Sequence, residues 1–180
     1  MNLASLLLRS ARAGEQRPAV YVGEKALLTY GQLRNHAGRI AGGLQNHFHL
    51  QRGARVALIM DNCAEYLEIL FACWWAGLVA VPISSRLHPR ELSYLLDNAG
   101  VSLCFTHSTS SATVQQASQQ SVSAPRLIDV RSTDYRKLLS GNDAALADVD
   151  PGAAAWLFYT SGTTGRAKGA CLSHRNLMTM

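Results

Sequence analysis

Three features of this 180-residue sequence predict an α/β fold, a mostly parallel sheet flanked by helices. Short apolar strands alternate with segments whose apolar residues recur at helical, core-facing spacing. The strands Leu78–Ile83 and Val101–Thr106 are nearly continuous in apolar residues, as expected where both faces of a parallel sheet are covered. The connections between strands are long enough for the right-handed crossovers that parallel pairing requires.

Composition agrees with a packed domain. Hydrophobic residues make up 48% and charged residues 16%, which excludes intrinsic disorder. The cysteines Cys63, Cys73, Cys104 and Cys171 show no paired spacing, so they are expected to be buried free thiols in a reducing compartment. The formal charge of +5 is spread thinly: residues 1–90 carry ten basic and five acidic groups, residues 91–180 seven of each. A solvated surface explains that distribution better than a nucleic-acid-binding stripe, so no nucleic-acid partner is expected. The apolar, uncharged run Ile69–Ser85 is interrupted by Gly77 and Pro82 and is too short to span a bilayer.

The elements follow in order. Leu3, Leu6, Leu7 and Leu8, with Arg9 and Arg12 behind them, predict an amphipathic first helix. A secretory signal would put its positive charge first. A cytoplasmic protein without a transmembrane segment is therefore expected. Val20–Val22 and Ala26–Leu28 flank Gly23-Glu24 as a hairpin. Thr29 and Gln32 fit a capping box before a helix with Leu33, Ala37, Ile40, Ala41 and Leu44 on one face. Arg55–Met60 is the next strand, and Asn62 with Glu65 is expected to cap a helix that Gly77 closes. After strand Leu78–Ile83, Pro89 at N1 opens another helix, ended near Gly100, and Val101–Thr106 follows as a strand.

From Ser108 to Ser123 the composition turns to Ser, Thr and Gln, which predicts a surface loop or weak helix with no core to build. Arg126–Val130 reads as a strand, Tyr135–Leu139 as a short helix and residues 140–152 as a connector. His47 and His49 are expected on one side of a strand, as a surface pair without a third metal ligand.

Chemistry concentrates at the end of the chain. The apolar strand Ala154–Tyr159 runs into Thr160-Ser161-Gly162-Thr163-Thr164-Gly165-Arg166-Ala167-Lys168-Gly169, and no acid follows Asp150. Glycines let backbone N–H groups turn toward an anion, hydroxyls add donors, and lysine adds charge. The carboxyl end of a buried strand is where ligands of open α/β sheets gather. A phosphate-binding loop is the direct inference, but its spacing matches neither the Walker pattern nor the dinucleotide fingerprint.

Leu157–Gly169, LFYTSGTTGRAKG, closely resembles the signature loop of the adenylate-forming superfamily, which includes acyl-CoA synthetases, peptide-synthetase adenylation domains and luciferases. Ala170–Asn176 and, upstream, Leu28–Leu33, Arg55–Asn62 and Ala72–Ile83 are similar to that family in order, so the resemblance covers essentially the whole chain. Ala167 departs from it, standing where the family usually has proline.

The resemblance implies ATP, Mg2+ and coenzyme A as cofactors and a small carboxylic acid, fatty or related, as substrate. It implies that Thr160, Ser161, Gly162, Thr163, Thr164, Gly165 and Lys168 hold the β- and γ-phosphates. No catalytic residue and no metal ligand is expected within the chain. Residues 1–180 are expected to be the N-terminal portion of an AMP-binding synthetase/ligase domain, ending just after its phosphate-binding loop and inactive alone. Two other readings stay open: a non-catalytic nucleotide-binding module, and part of an enzyme that adenylates for a carrier protein.

Overall fold

The computed structural model describes residues 1–160 and 167–179. The first helix, α1 (Ser5–Ala13), precedes a separate antiparallel hairpin, β1 (Pro18–Val22) and β2 (Lys25–Thr29), turned at Gly23. Helix α2 (Tyr30–Asn46) begins at the capping box: the Thr29 hydroxyl accepts from the Gln32 N–H, and the Gln32 side chain accepts from the Thr29 N–H. Then come β3 (Arg55–Ile59), α3 (Ala64–Trp75), β4 (Val79–Pro82), α4 (Pro89–Ala99) and β5 (Val101–Thr106). The chain continues through α5 (Ser111–Gln120), β6 (Arg126–Asp129), α6 (Thr133–Leu139), β7 (Ala154–Thr160), β8 (Lys168–Ser173) and α7 (His174–Met178).

The six-stranded sheet has the order β6-β5-β3-β4-β7-β8, parallel except for the antiparallel β7/β8 pair. Consecutive strand residues serve opposite faces, as a period of two demands. Val56, Leu58, Leu103 and Phe105 pack with α1, α2, α3 and α6 in one core. Ala57, Ile59, Cys104 and Val81 pack with α4 and α5 in the other. The near-continuous apolar strands are thereby explained: neither face meets water.

The connector 140–152 crosses the helical face closely. The Ala144 N–H donates to the Gly38 carbonyl and the Ala147 N–H to the Trp75 carbonyl. A Cβ on Gly42 would lie 2.2 Å from the Asn142 carbonyl oxygen, so this close approach needs glycine there. Gly77, with φ +73°, ends α3 in the left-handed region.

Three expectations are corrected here. Asn62 and Glu65 do not form the cap of α3; Cys63 stands at the N-cap with no side-chain hydrogen bond. His47 closes α2 and His49 has φ +54°, so neither lies in a strand. The Ser/Gln-rich segment does build core: α5 packs on α4 and buries Val114 and Ala117 completely. Two apolar residues at helical spacing suffice once a neighbouring helix offers a face.

At the opposite end of the chain the Ser173 hydroxyl caps α7, and the His174 ring is buried, its Nδ1 accepting from the Leu3 N–H at 3.1 Å. Burial, then the nearby N-terminal ammonium, pushes its pKa below the ordinary histidine value. The folded state thus holds His174 neutral, and its contribution is complete above the unfolded value near 6.5. As pH falls, the unfolded chain takes the proton first and stability is lost down to the lowered folded pKa. Thermal unfolding between pH 7.5 and 5 is expected to show this loss, with a shallower slope in His174→Asn. An unchanged slope in that variant would remove His174 from the account.

Candidate phosphate-binding cleft

The site is set by where β7 ends. The Trp74 indole Nε1 donates to the Ala155 carbonyl at 2.9 Å, and the Trp74 ring packs 5.8 Å from Trp156, fixing the strand against α3. β7 pairs in parallel with β4, with Ala80 opposite Trp156. Leu157 and Tyr159 turn to the other core, and Thr160 emerges exposed at the carboxyl end. Thr160 lies opposite Lys168 in the antiparallel β7/β8 register. Directly opposed residues project to the same face with Cβ atoms about 5 Å apart, so Thr160 and Lys168 leave the sheet on the same side.

These two are the predicted phosphate-binding residues that the structure brings together. Ser161, Gly162, Thr163, Thr164 and Gly165 lie outside the described residues.

A cleft of about 1250 Å³ opens at this edge of the sheet. From β4 the chain turns back to β5, whereas from β7 it continues outward to β8, so the carboxyl ends of β4 and β7 diverge. A switch in direction of this kind leaves a crevice for ligand. Met60, Pro82, Ile83, Leu87 and Phe158 supply apolar wall; Arg86, Arg90 and Thr160 supply polar groups.

The α4 end of the wall is held by a reciprocal cap. His88 Nδ1 accepts from the Arg90 N–H at 3.3 Å, and the Glu91 carboxylate accepts from the His88 N–H at 3.0 Å. The Tyr159 hydroxyl donates to Asn98 Oδ1 at 2.7 Å; burial, then neighbouring Tyr94, raises its pKa and keeps it a donor. Asp61 and Glu91 are the acids on the wall. Asp61 accepts from Ser85 and Thr109, and Glu91 serves the cap, so both are engaged within the protein. Arg86 and Arg90 make no ion pair among the described residues.

The exposed Thr160 hydroxyl and the guanidinium groups of Arg86 and Arg90 on the wall are donors of the kind that phosphate oxygens accept from. Among the described residues no group of three metal-ligating side chains comes together, so no magnesium ligand is assigned. Sequence reasoning missed the wall itself. Its signal was available: the residues just beyond each parallel strand, Asp61, Ser85 and Arg86 among them, are those that such a crevice collects.

One expectation fails on the far strand. Cys171 was expected to be buried; it is exposed on β8, while Cys73 and Cys104 are buried and Cys63 half-buried. Burial, with Glu65 nearby, pushes the Cys63 thiol up to about 11. No helix among the described residues is long and apolar enough to cross a membrane.

Known proteins resemble this chain along most of its length. A family model described as AMP-binding enzyme matches residues 7–180. Feruloyl-CoA synthase of Amycolatopsis sp is 37% identical over 178 residues, covering 98% of this chain and 34% of that protein. A long-chain-fatty-acid–CoA ligase of Haemophilus influenzae is 30% identical over 211 residues, covering 99% and 37%. The fatty acid–[acyl-carrier-protein] ligase ScoC of Streptomyces coeruleorubidus is 34% identical over 162 residues, covering 88% and 30%. The crystal structure of the anthranilate CoA ligase AuaEII in complex with anthranoyl-AMP superposes with TM-score 0.89 at 20% identity, over 97% of this chain and 34% of that one, a likeness of fold. The chain spans about a third of the length of the curated relatives it matches. With a family model running through nearly all its residues, the chain belongs to the AMP-binding enzymes.

Proposed function

We propose that this chain is the N-terminal, phosphate-holding part of an acyl-CoA synthetase, an ATP-dependent acid–thiol ligase. The observation that carries the proposal is the pairing of Thr160, on the cleft wall, with Lys168 across the β7/β8 register, on the two flanks of the Thr/Ser/Gly run. In the proposed reaction a carboxylate oxygen attacks the α-phosphorus of ATP and the bond to the β-phosphate breaks, releasing pyrophosphate. The sulfur of coenzyme A then attacks the acyl carbon, and the bond to AMP breaks. Magnesium bound with ATP would offset phosphate charge.

This chain's own part is narrower. The Thr160 hydroxyl donates to a terminal phosphate oxygen, and the Lys168 ammonium balances charge that grows on pyrophosphate as it leaves. With Ser161, Gly162, Thr163, Thr164 and Gly165, these residues form the proposed phosphate-binding set. The apolar bodies of feruloyl and long-chain fatty acids, the acids named for two relatives, support a carboxylic acid with an apolar body as substrate class. A carrier-protein thiol in place of coenzyme A is the second reading, favoured by the 34% identity to ScoC.

Calorimetry with the purified chain is expected to detect ATP binding, and Lys168→Ala to weaken it by about tenfold or more, the worth of one charge-assisted hydrogen bond. Carboxylate-dependent ATP–pyrophosphate exchange by this chain is expected to stay at background. Equal ATP affinity in the variant would count against the assignment of Lys168, and exchange above background would overturn the inactivity of the chain alone.

A further inference from the structure

The loops after β6, β5, β3 and β4 are joined by a hydrogen-bonded belt that follows the order of the sheet. Arg131, just after β6, donates through Nη1 to Glu65 at 2.9 Å and through Nε to His107 Nε2 at 3.4 Å. His107 Nδ1 faces both Thr109 Oγ1 at 3.2 Å and the Thr109 N–H at 3.5 Å in the loop after β5. Thr109 Oγ1 then donates to Asp61 Oδ2 at 3.2 Å, and Ser85 Oγ donates to Asp61 Oδ1 at 2.9 Å. The belt ends at Ser85, next to Arg86 on the cleft wall.

An acid beside a site for anions works against binding through its charge alone. At Asp61 each carboxylate oxygen instead takes a hydroxyl from a different loop. We propose that Asp61 is a positioning residue of the cleft, fastening the 84–87 loop, and with it Arg86, to the ends of β3 and β5. The functional side of this inference rests on the reading of the cleft as a nucleotide site; the belt itself does not. Ser84 Oγ accepting from the Arg86 N–H at 3.3 Å shows that the loop also has local order for the belt to hold in place.

The test uses the 180-residue chain and its variants Asp61→Ala, Thr109→Val and Thr109→Ser, with amide hydrogen exchange and ATP titration. Asp61→Ala and Thr109→Val are expected to speed exchange across 84–87 by about tenfold, as loss of a hydrogen bond to a charged group implies. Exchange in α2 should stay unchanged. Both variants should bind ATP several-fold more weakly, although Asp61→Ala removes a negative charge. Thr109→Ser keeps the hydroxyl and should behave as the parent.

Unchanged loop exchange with tighter ATP binding in Asp61→Ala would overturn the proposal and leave Asp61 as an unfavourable charge only. A Thr109→Ser variant as impaired as Thr109→Val would overturn it as well, because the methyl group rather than the hydroxyl would matter. If the parent chain fails to bind ATP, the nucleotide reading falls, while exchange across 84–87 still decides for or against the belt.

Discussion

Replacement of Trp74 by alanine is expected to lower the unfolding free energy by about 3–5 kcal/mol, the usual cost of emptying a buried aromatic site. Trp74 is only 5% exposed and makes an edge-on contact with Phe71 at 5.3 Å between ring centroids. Its indole holds the Ala155 carbonyl, while its own carbonyl accepts from the Asn2 side chain at 2.7 Å. The residue therefore joins α3, β7 and the start of the chain. Because Trp74 holds β7 at Ala155 and Trp156, the loss should reach the site: Thr160 would no longer be held at the cleft wall. Urea unfolding gives the first quantity, and ATP affinity well below the transition gives the second. A Trp74→Ala chain within 1 kcal/mol of the parent, by the same cavity reasoning, would show that the surrounding side chains collapse into the space.

Replacement of Glu68 by alanine is expected to cost about 2–3 kcal/mol, mainly by leaving buried donors without an acceptor. The Glu68 carboxylate is buried in the helical layer, accepting from the Tyr135 hydroxyl at 2.5 Å and facing His36 Nδ1 at 2.8 Å. Burial, and then the Glu68 charge, raise the Tyr135 pKa far above its ordinary value, so the hydroxyl stays a donor. The contact ties α6 to α3 and, through His36, to α2. Tyr135→Phe should cost less, and the double variant should cost less than the sum of the two, because the groups form one unit. Additive losses in a double-mutant cycle would refute that coupling.

Most elements were legible because their signals are local. Thr29 and Gln32 cap α2 through atoms three residues apart, and Pro89 presets the first turn of α4. The hairpin turn at Gly23 and the glycine stop at Gly77 follow from backbone freedom of the same short range. Where neighbours distant in sequence decide, local signals failed. The α3 cap passed to Cys63 although Asn62 is the better capping residue. Helix α5 formed because α4 lay beside it. Cys171 is exposed because it falls on the outermost strand, a position in the sheet rather than in the sequence.

For the site the division is similar. The Thr/Ser/Gly run with Lys168 makes phosphate binding the expectation from the sequence, since hydroxyls, glycines and a lysine without nearby acids have few other uses. The cleft wall, from Asp61 to Phe158, carried no such signature.

By itself, then, the sequence determined the alternation of strands and helices, the burial of both sheet faces and the family of the terminal loop. Each of these is written in residue type and short-range spacing. The tertiary structure alone decided the strand order, with β7 beside β4 and β3 between β4 and β5. Uniformly apolar strands such as VALI and VAVP carry no mark that selects a partner, so pairing is settled by which helices cover which face. That order places Arg86, Asp61 and Thr160, far apart in the chain, around one opening.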